Sequence, residues 1–187
     1  MRVPCVGPLV ELPLSTMERT FNTNVYGPMR LVQAVVPHMA SMKKGKIVNI
    51  GSVNAFLPAP WTGVYAATKC ALHSLSDTLR LELRHFRIDV INVVPEAITS
   101  NIGSNYNRMP EWKLYKPFEE LIKERTNSVN TLKSIPAEVF TKDNVAVVMK
   151  NNPPAWFSTG PYSTFMAIMY HMPLFVKDFV AKKITKC

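Results

Sequence analysis

Tyr65 and Lys69 stand four residues apart in Tyr65-Ala66-Ala67-Thr68-Lys69. On a helix that spacing puts both side chains on one face, with about 6 Å of rise between their Cα atoms. A phenol with an ordinary pKa of about 10 is a poor proton donor at neutral pH. A nearby ammonium stabilises the phenolate, and the pair then makes a sensible general acid for a reacting oxygen. Ser52 lies thirteen residues before Tyr65, at the end of an apolar run. Tyr-x-x-x-Lys alone is common by chance. The serine before it and a Pro-ended strand after it give it weight.

Other chemistries find less support. The seven glycines (7, 27, 45, 51, 63, 103 and 160) contain no pair two or five apart, so neither G-x-G-x-x-G nor a P-loop is present. His38, His73, His85 and His171 show no metal-ligand spacing, and no metal is expected. Gly51-Ser52-Val53-Asn54-Ala55 lacks the second glycine of a hydrolase nucleophile elbow. Cys5, Cys70 and Cys187 are odd in number and far apart, as suits a reducing compartment without a disulfide framework.

The elements that must position these residues are legible in the pattern. Ser15 and Glu18 have capping-box spacing. Apolar residues then recur at Phe21, Val25, Met29, Val32, Val36 and Met39, predicting a helix to about residue 42 with a kink at Gly27-Pro28. Lys46 to Ser52 reads as a buried strand. Val64 to Phe86 reads as a second helix with a stripe of Leu72, Leu75, Leu79, Leu83 and Phe86, and Ile88 to Val94 as a strand stopped by Pro95. Helix, strand, helix, strand with nearly continuous apolar strands predicts parallel pairing in an α/β layer fold. Later helices are expected at Pro117–Arg125 and Pro136–Lys150, and Phe165–Val176 is an apolar block broken by Pro173.

The 187 residues suit one domain, and 47% hydrophobic with 19% charged residues suits a globular one. The net charge of +9 is scattered, densest at Lys43–Lys46 and Lys177–Lys186. No nucleic-acid-binding signature accompanies it, and no nucleic-acid partner is expected. The first residues lack the apolar run of a signal peptide, and no stretch reaches the ~18 apolar residues of a spanning helix.

Residues 6 to 100 resemble the short-chain dehydrogenase/reductase family. Phe21-Asn22-Thr23-Asn24-Val25-Tyr26-Gly27 is similar to its asparagine-bearing helix, Gly45 to Ser52 to its serine-ended strand, and Tyr65 with Lys69 to its catalytic pair. From Pro153 onward the chain resembles plant and fungal members that are NADPH-dependent 1-acyl-dihydroxyacetone-phosphate reductases. The resemblance implies a partial doubly wound Rossmann-type parallel sheet that lacks its N-terminal glycine-rich half, with a helical C-terminal extension. Residues 1–100 would be the C-terminal half of the catalytic domain. Residues 101–187 would be a substrate-loop region and helical tail.

The roles it implies are these. Tyr65 exchanges the proton of a ketone or alcohol, and Ser52 bonds the same oxygen. Lys69 lowers the Tyr65 pKa and bonds the nicotinamide ribose. Asn24 holds a helix kink and a relay water. The cofactor-binding residues would be Tyr65, Lys69, Pro95, Ile98 and Ser100, and the cofactor NADP(H). Two departures stand out. Roughly 70–90 residues of the nucleotide-binding half, with its phosphate turn, are not represented, so this chain alone is expected to be inactive. Where the family has Pro-Gly, the chain has Pro95-Glu96, setting a carboxylate near the cofactor position. The expected substrate is a lipid-like ketone; in Ile102–Gly160, Met109, Trp112, Leu114, Tyr115 and Phe118 offer apolar surface either for an acyl chain or a steroid or for lid and core packing.

Other expected partners are a second subunit, through the helices of residues 15–42 and 64–86, and a membrane, touched peripherally by 161–187. The latter implies the cytosolic face of the endoplasmic reticulum or a lipid droplet, the alternative being cytoplasmic. A non-catalytic truncated form, acting as a dimerisation or membrane-surface module, is the rival reading of function.

Overall fold

The computed structural model describes residues 5–57, 59–99, 111–124, 134–160 and 163–185. Helix α1 (Leu14–Phe21) passes through a π-helical turn at Asn22–Tyr26 into α2 (Gly27–Ser41). Strand β1 (Gly45–Ile50) leads through a 3-10 turn at Val53–Ala55 to α3 (Gly63–Glu82). A second 3-10 turn (Leu83–Phe86) precedes β2 (Ile88–Pro95). Later come α4 (Ala137–Val148), β3 (Trp156–Thr159), α5 (Ser163–His171) and α6 (Leu174–Thr185).

The strands form a three-stranded parallel sheet in the order β1-β2-β3, with Ile47 opposite Val90 and Val93 opposite Phe157. This is the parallel α/β layer expected. The central strand β2 is buried along nearly its whole length, which is why it reads as a continuous β-branched run. Helices α2 and α3 and the 3-10 turn after α3 cover one face of the sheet, packing Val32, Leu79 and Leu83 on Ile47, Ile88 and Val90. A second core gathers Cys5, Leu12, Val64, Trp112 and Ile122. There the Glu11 carboxylate accepts the backbone N–H groups of Lys113, Leu114 and Tyr115 at 2.7–3.1 Å, pinning that segment to the N-terminal loop.

Several boundaries differ from expectation. Helix α1 begins at Leu14 with Pro13 at its cap (φ −58°) and no side-chain cap, so the Ser15–Glu18 box is not used. Proline fixes the helix entry two residues too early for Ser15 to serve. The expected kink at Gly27-Pro28 is the π turn just before it. Its C-terminal bond runs from the Gly27 N–H to the Asn22 carbonyl, and Arg30 reaches back to Asn22 Oδ1 at 2.6 Å. Pro28 has no N–H to give to the carbonyl of Asn24, which favours the wider turn. Phe86, expected on the buried stripe, is 43% exposed because the last turn tightens to 3-10 and Arg87 adopts φ 55°. Strand β3 was not foreseen. The apolar block breaks at Met172-Pro173 into α5 and α6.

Candidate active site

β1 ends beside the first turns of α3, and the chemistry-bearing residues meet there. The Gly51 N–H goes to the Val93 carbonyl at 2.7 Å, so Gly51, Asn49 and Ile47 bond β2 while Ile50, Val48 and Lys46 face the other edge. Lys69 Nζ reaches that outer edge and donates to the Ile50 carbonyl at 2.8 Å. Lys69 is 3% exposed, and its ammonium lies 5.7 Å from the centroid of the half-buried Tyr65 ring. That is within the range at which a cation is held by a ring face.

Asn24 projects from the π turn and is buried. Its Nδ2 donates to Thr68 Oγ1 at 3.2 Å, and Thr68 Oγ1 donates to the Tyr65 carbonyl at 2.7 Å. Thr68, fully buried, thus ties the helix-turn asparagine to the turn of α3 carrying Tyr65. Its place between Tyr65 and Lys69 was the available signal, but its partner lies 44 residues away in sequence.

Ser52 sits just beyond the strand in extended backbone (φ −168°, ψ 147°), 7% exposed. Its Oγ accepts the Asn54 N–H at 3.3 Å and caps the 3-10 turn. A hydroxyl has one proton and two lone pairs, so this bond leaves the O–H to be donated. The Ser52 N–H donates to His73 Nε2 at 3.2 Å. In the sequence His73 has no ligand spacing to mark it.

Burial, with Lys69 beside it, pushes the His73 pKa down from 6.5 to about 4, against the pull of Asp77. The folded protein therefore keeps His73 neutral while the unfolded chain takes up a proton below pH 6.5. Stability contributed by the neutral ring is present above about pH 6.5 and is lost as pH falls toward 4. Urea titrations across that window are expected to show a fall with a slope of up to about 1.4 kcal/mol per pH unit. The slope should vanish in His73→Gln.

Pro95 is fully buried at the end of β2. Beyond it, Ile98 makes a parallel bridge to Ile135. Both lie one strand over from Ser52, Pro95 at the carboxyl end of the sheet and Ile98 past it, where open α/β sheets bind ligands. Ser100 and Met109 lie outside the described residues. The Glu96 side chain lies against Gly160 at the end of β3, where an added Cβ would be 2.5 Å from its Oε2. Of the expected substrate residues, Trp112 is a core residue at 3% exposed and Tyr115 packs on Trp61 at 5.2 Å, while Leu114 and Phe118 are exposed.

Residues 3–111 match the family model for short chain dehydrogenases. The chain belongs to the short-chain dehydrogenase family. It is 34% identical over 160 residues to the short-chain dehydrogenase RED1 of Pyricularia oryzae, covering 83% of this chain and 56% of that one. It is 30% identical over 138 residues to an NADPH-dependent 1-acyldihydroxyacetone phosphate reductase of Schizosaccharomyces pombe, covering 71% and 46%. In fold it is similar to a short-chain dehydrogenase from Streptomyces avermitilis, with a TM-score of 0.72 at 23% identity over 99% of this chain and 65% of that one. The chain thus spans about half the length of the curated relatives it matches. Its sheet is a Rossmann-type short-chain dehydrogenase sheet in part.

Proposed function

We propose that this chain supplies the carbonyl-handling part of an NADP(H)-dependent reductase whose substrate is a lipid-like ketone. The observation that carries the reading is the Lys69 ammonium over the Tyr65 ring beside the point where Ser52 leaves β1. The residues suit the nicotinamide-ribose end of the cofactor: the buried Lys69 ammonium and the Asn24 amide line a groove of about 340 Å³ along β1, and the Tyr65 ring stands 5.7 Å from that ammonium. The chain has no glycine-rich turn for the phosphates. When bound, NADPH supplies a hydride to the carbonyl carbon. Tyr65 gives its hydroxyl proton to the carbonyl oxygen, and Ser52 donates a hydrogen bond to the same oxygen. Lys69 stabilises the phenolate left behind.

For the substrate class, support comes from the aromatic wall beside the Ser52 turn. Phe56 meets Tyr170 at 5.0 Å and Trp156 at 6.2 Å, an apolar surface suited to an acyl chain. The Schizosaccharomyces pombe relative's name points the same way. The test is an NADPH-oxidation assay on acyl ketones, ketosteroids and small polar ketones. It compares this chain with a form carrying a glycine-rich nucleotide-binding half ahead of residue 1. The extended form is expected to turn over the acyl ketones, and this chain to show neither turnover nor micromolar NADPH binding. Turnover of the polar ketones alone would overturn the lipid reading.

A second proposal concerns placement. Leu174, Phe175 and Phe179 on α6 are 66–73% exposed, and Lys182 and Lys183 follow on the same helix. Among the described residues no helix is long and apolar enough to cross a membrane. Exposed rings followed by lysines favour a helix lying in the headgroup layer of an anionic bilayer, at the endoplasmic reticulum or a lipid droplet. Deleting 161–187 is expected to abolish co-sedimentation with phosphatidylserine vesicles. Retained binding by a folded deletion variant would place the attachment elsewhere.

A further inference from the structure

We propose that His73 is a positioning residue for the reduction: by accepting the Ser52 amide hydrogen on an unprotonated Nε2, it fixes the direction of the Ser52 hydroxyl. The proposal rests on the reading above only in giving Ser52 contact with the carbonyl oxygen.

The geometry constrains the ring from three sides. The 3.2 Å bond from the Ser52 N–H requires a lone pair on Nε2, so the neutral ring carries its proton on Nδ1. Gly51 offers no side chain where His73 approaches, and a Cβ there would land on Nε2. Phe56 closes the other side, its ring 5.4 Å away and tilted at 66°. Phe56 and Ser52 belong to the same short turn, capped by Ser52 itself. The imidazole therefore holds both ends of the segment that presents the hydroxyl.

Nothing else described takes the Ser52 N–H. A buried amide hydrogen without an acceptor is unfavourable, and the peptide plane between Gly51 and Ser52 would turn to find one. Since Cβ and Oγ are built on that plane, the hydroxyl moves with it. A proton added at Nε2 has the same effect as removing the ring, because a donor then faces a donor. The charged groups acting on the ring are Lys69 and Asp77, one turn before and after it on α3. β2 presents the Asn92 amide oxygen and the 3-10 turn presents Phe56, neither of which titrates in this range. The Tyr170 phenol stands behind Phe56.

Two substitutions separate positioning from bulk. In His73→Gln the side-chain oxygen can accept the Ser52 N–H and does not titrate. In His73→Met comparable volume remains and no comparable acceptor. Backbone-amide NMR of this chain reads the bond directly. The wild-type Ser52 amide proton is expected downfield, moving with the His73 ring titration near pH 4. His73→Gln keeps the downfield shift and loses the titration, and His73→Met loses both. In the extended, nucleotide-binding form, kcat for ketone reduction should fall about tenfold or more in His73→Met, with KM for NADPH unchanged. His73→Gln should restore most of it. An unmoved Ser52 amide in His73→Met, or a kcat equal to wild type there, overturns the proposal. If the extended wild type reduces no ketone, the reductase reading falls, and the NMR arm still decides whether His73 holds Ser52.

Discussion

Tyr65→Phe is expected to lower ketone reduction by at least about 100-fold in a form that carries the nucleotide-binding half. The substitution removes the one transferable proton at this position and keeps the ring. Lys69 retains both its bond to the Ile50 carbonyl and its place over the ring face. Folding and NADPH affinity should therefore change little, and the loss should appear in kcat. Parallel measurement of kcat and of NADPH binding by fluorescence separates the outcomes. Near-normal turnover would reduce Tyr65 to an ordinary residue of α3.

Gly51→Ala is expected to destabilise the protein by about 2–3 kcal/mol, the upper part of the usual range for forcing a methyl group into a packed site. The new Cβ would collide with His73 Nε2 and lie 2.8 Å from Asn92 Oδ1. Neither group can withdraw easily. His73 is held by the Ser52 N–H, and Asn92 belongs to the central strand. Calorimetry should show Tm lower by roughly 4–12 °C. Because the shortest contact is with the His73 ring, the double variant Gly51→Ala/His73→Ala should be less destabilised than the two single changes added together, with a coupling of about 1 kcal/mol or more. Additive effects would show that the His73 ring is not what opposes the methyl group.

The parts of the fold that could be read in advance share a property: their signal is local. β1 and β2 are β-branched runs bounded by Lys44-Gly45, Arg87 and Pro95, and α3 carries a clear apolar stripe. β3 had no such signal. It is four residues long, only partly buried, and preceded by Pro153-Pro154. As an edge strand it needs pairing on one side only, so neither alternation nor apolarity was imposed on it. The site divides in the same way. Tyr65 and Lys69 are legible because helical spacing alone brings them together. Thr68 and His73 take their meaning from partners 44 and 21 residues away, a relation that exists only once α3 has packed on the π turn and on β1.

The π turn at Asn22–Tyr26 has a further consequence, in chain length. A π turn holds one residue more than an α-helix would place in the same stretch, and each helical residue rotates the chain by about 100°. Deleting Thr23 would remove that surplus residue, while Pro28 would still leave the Asn24 carbonyl without an α-helical donor. The same deletion would swing Asn24 about 100° around the axis, away from Thr68, while Val32 and Met29 could keep their places under the sheet. The shorter sequence would thus lose the link to Tyr65. At a point where Pro28 already opposes a regular helix, the surplus residue sets the direction of Asn24.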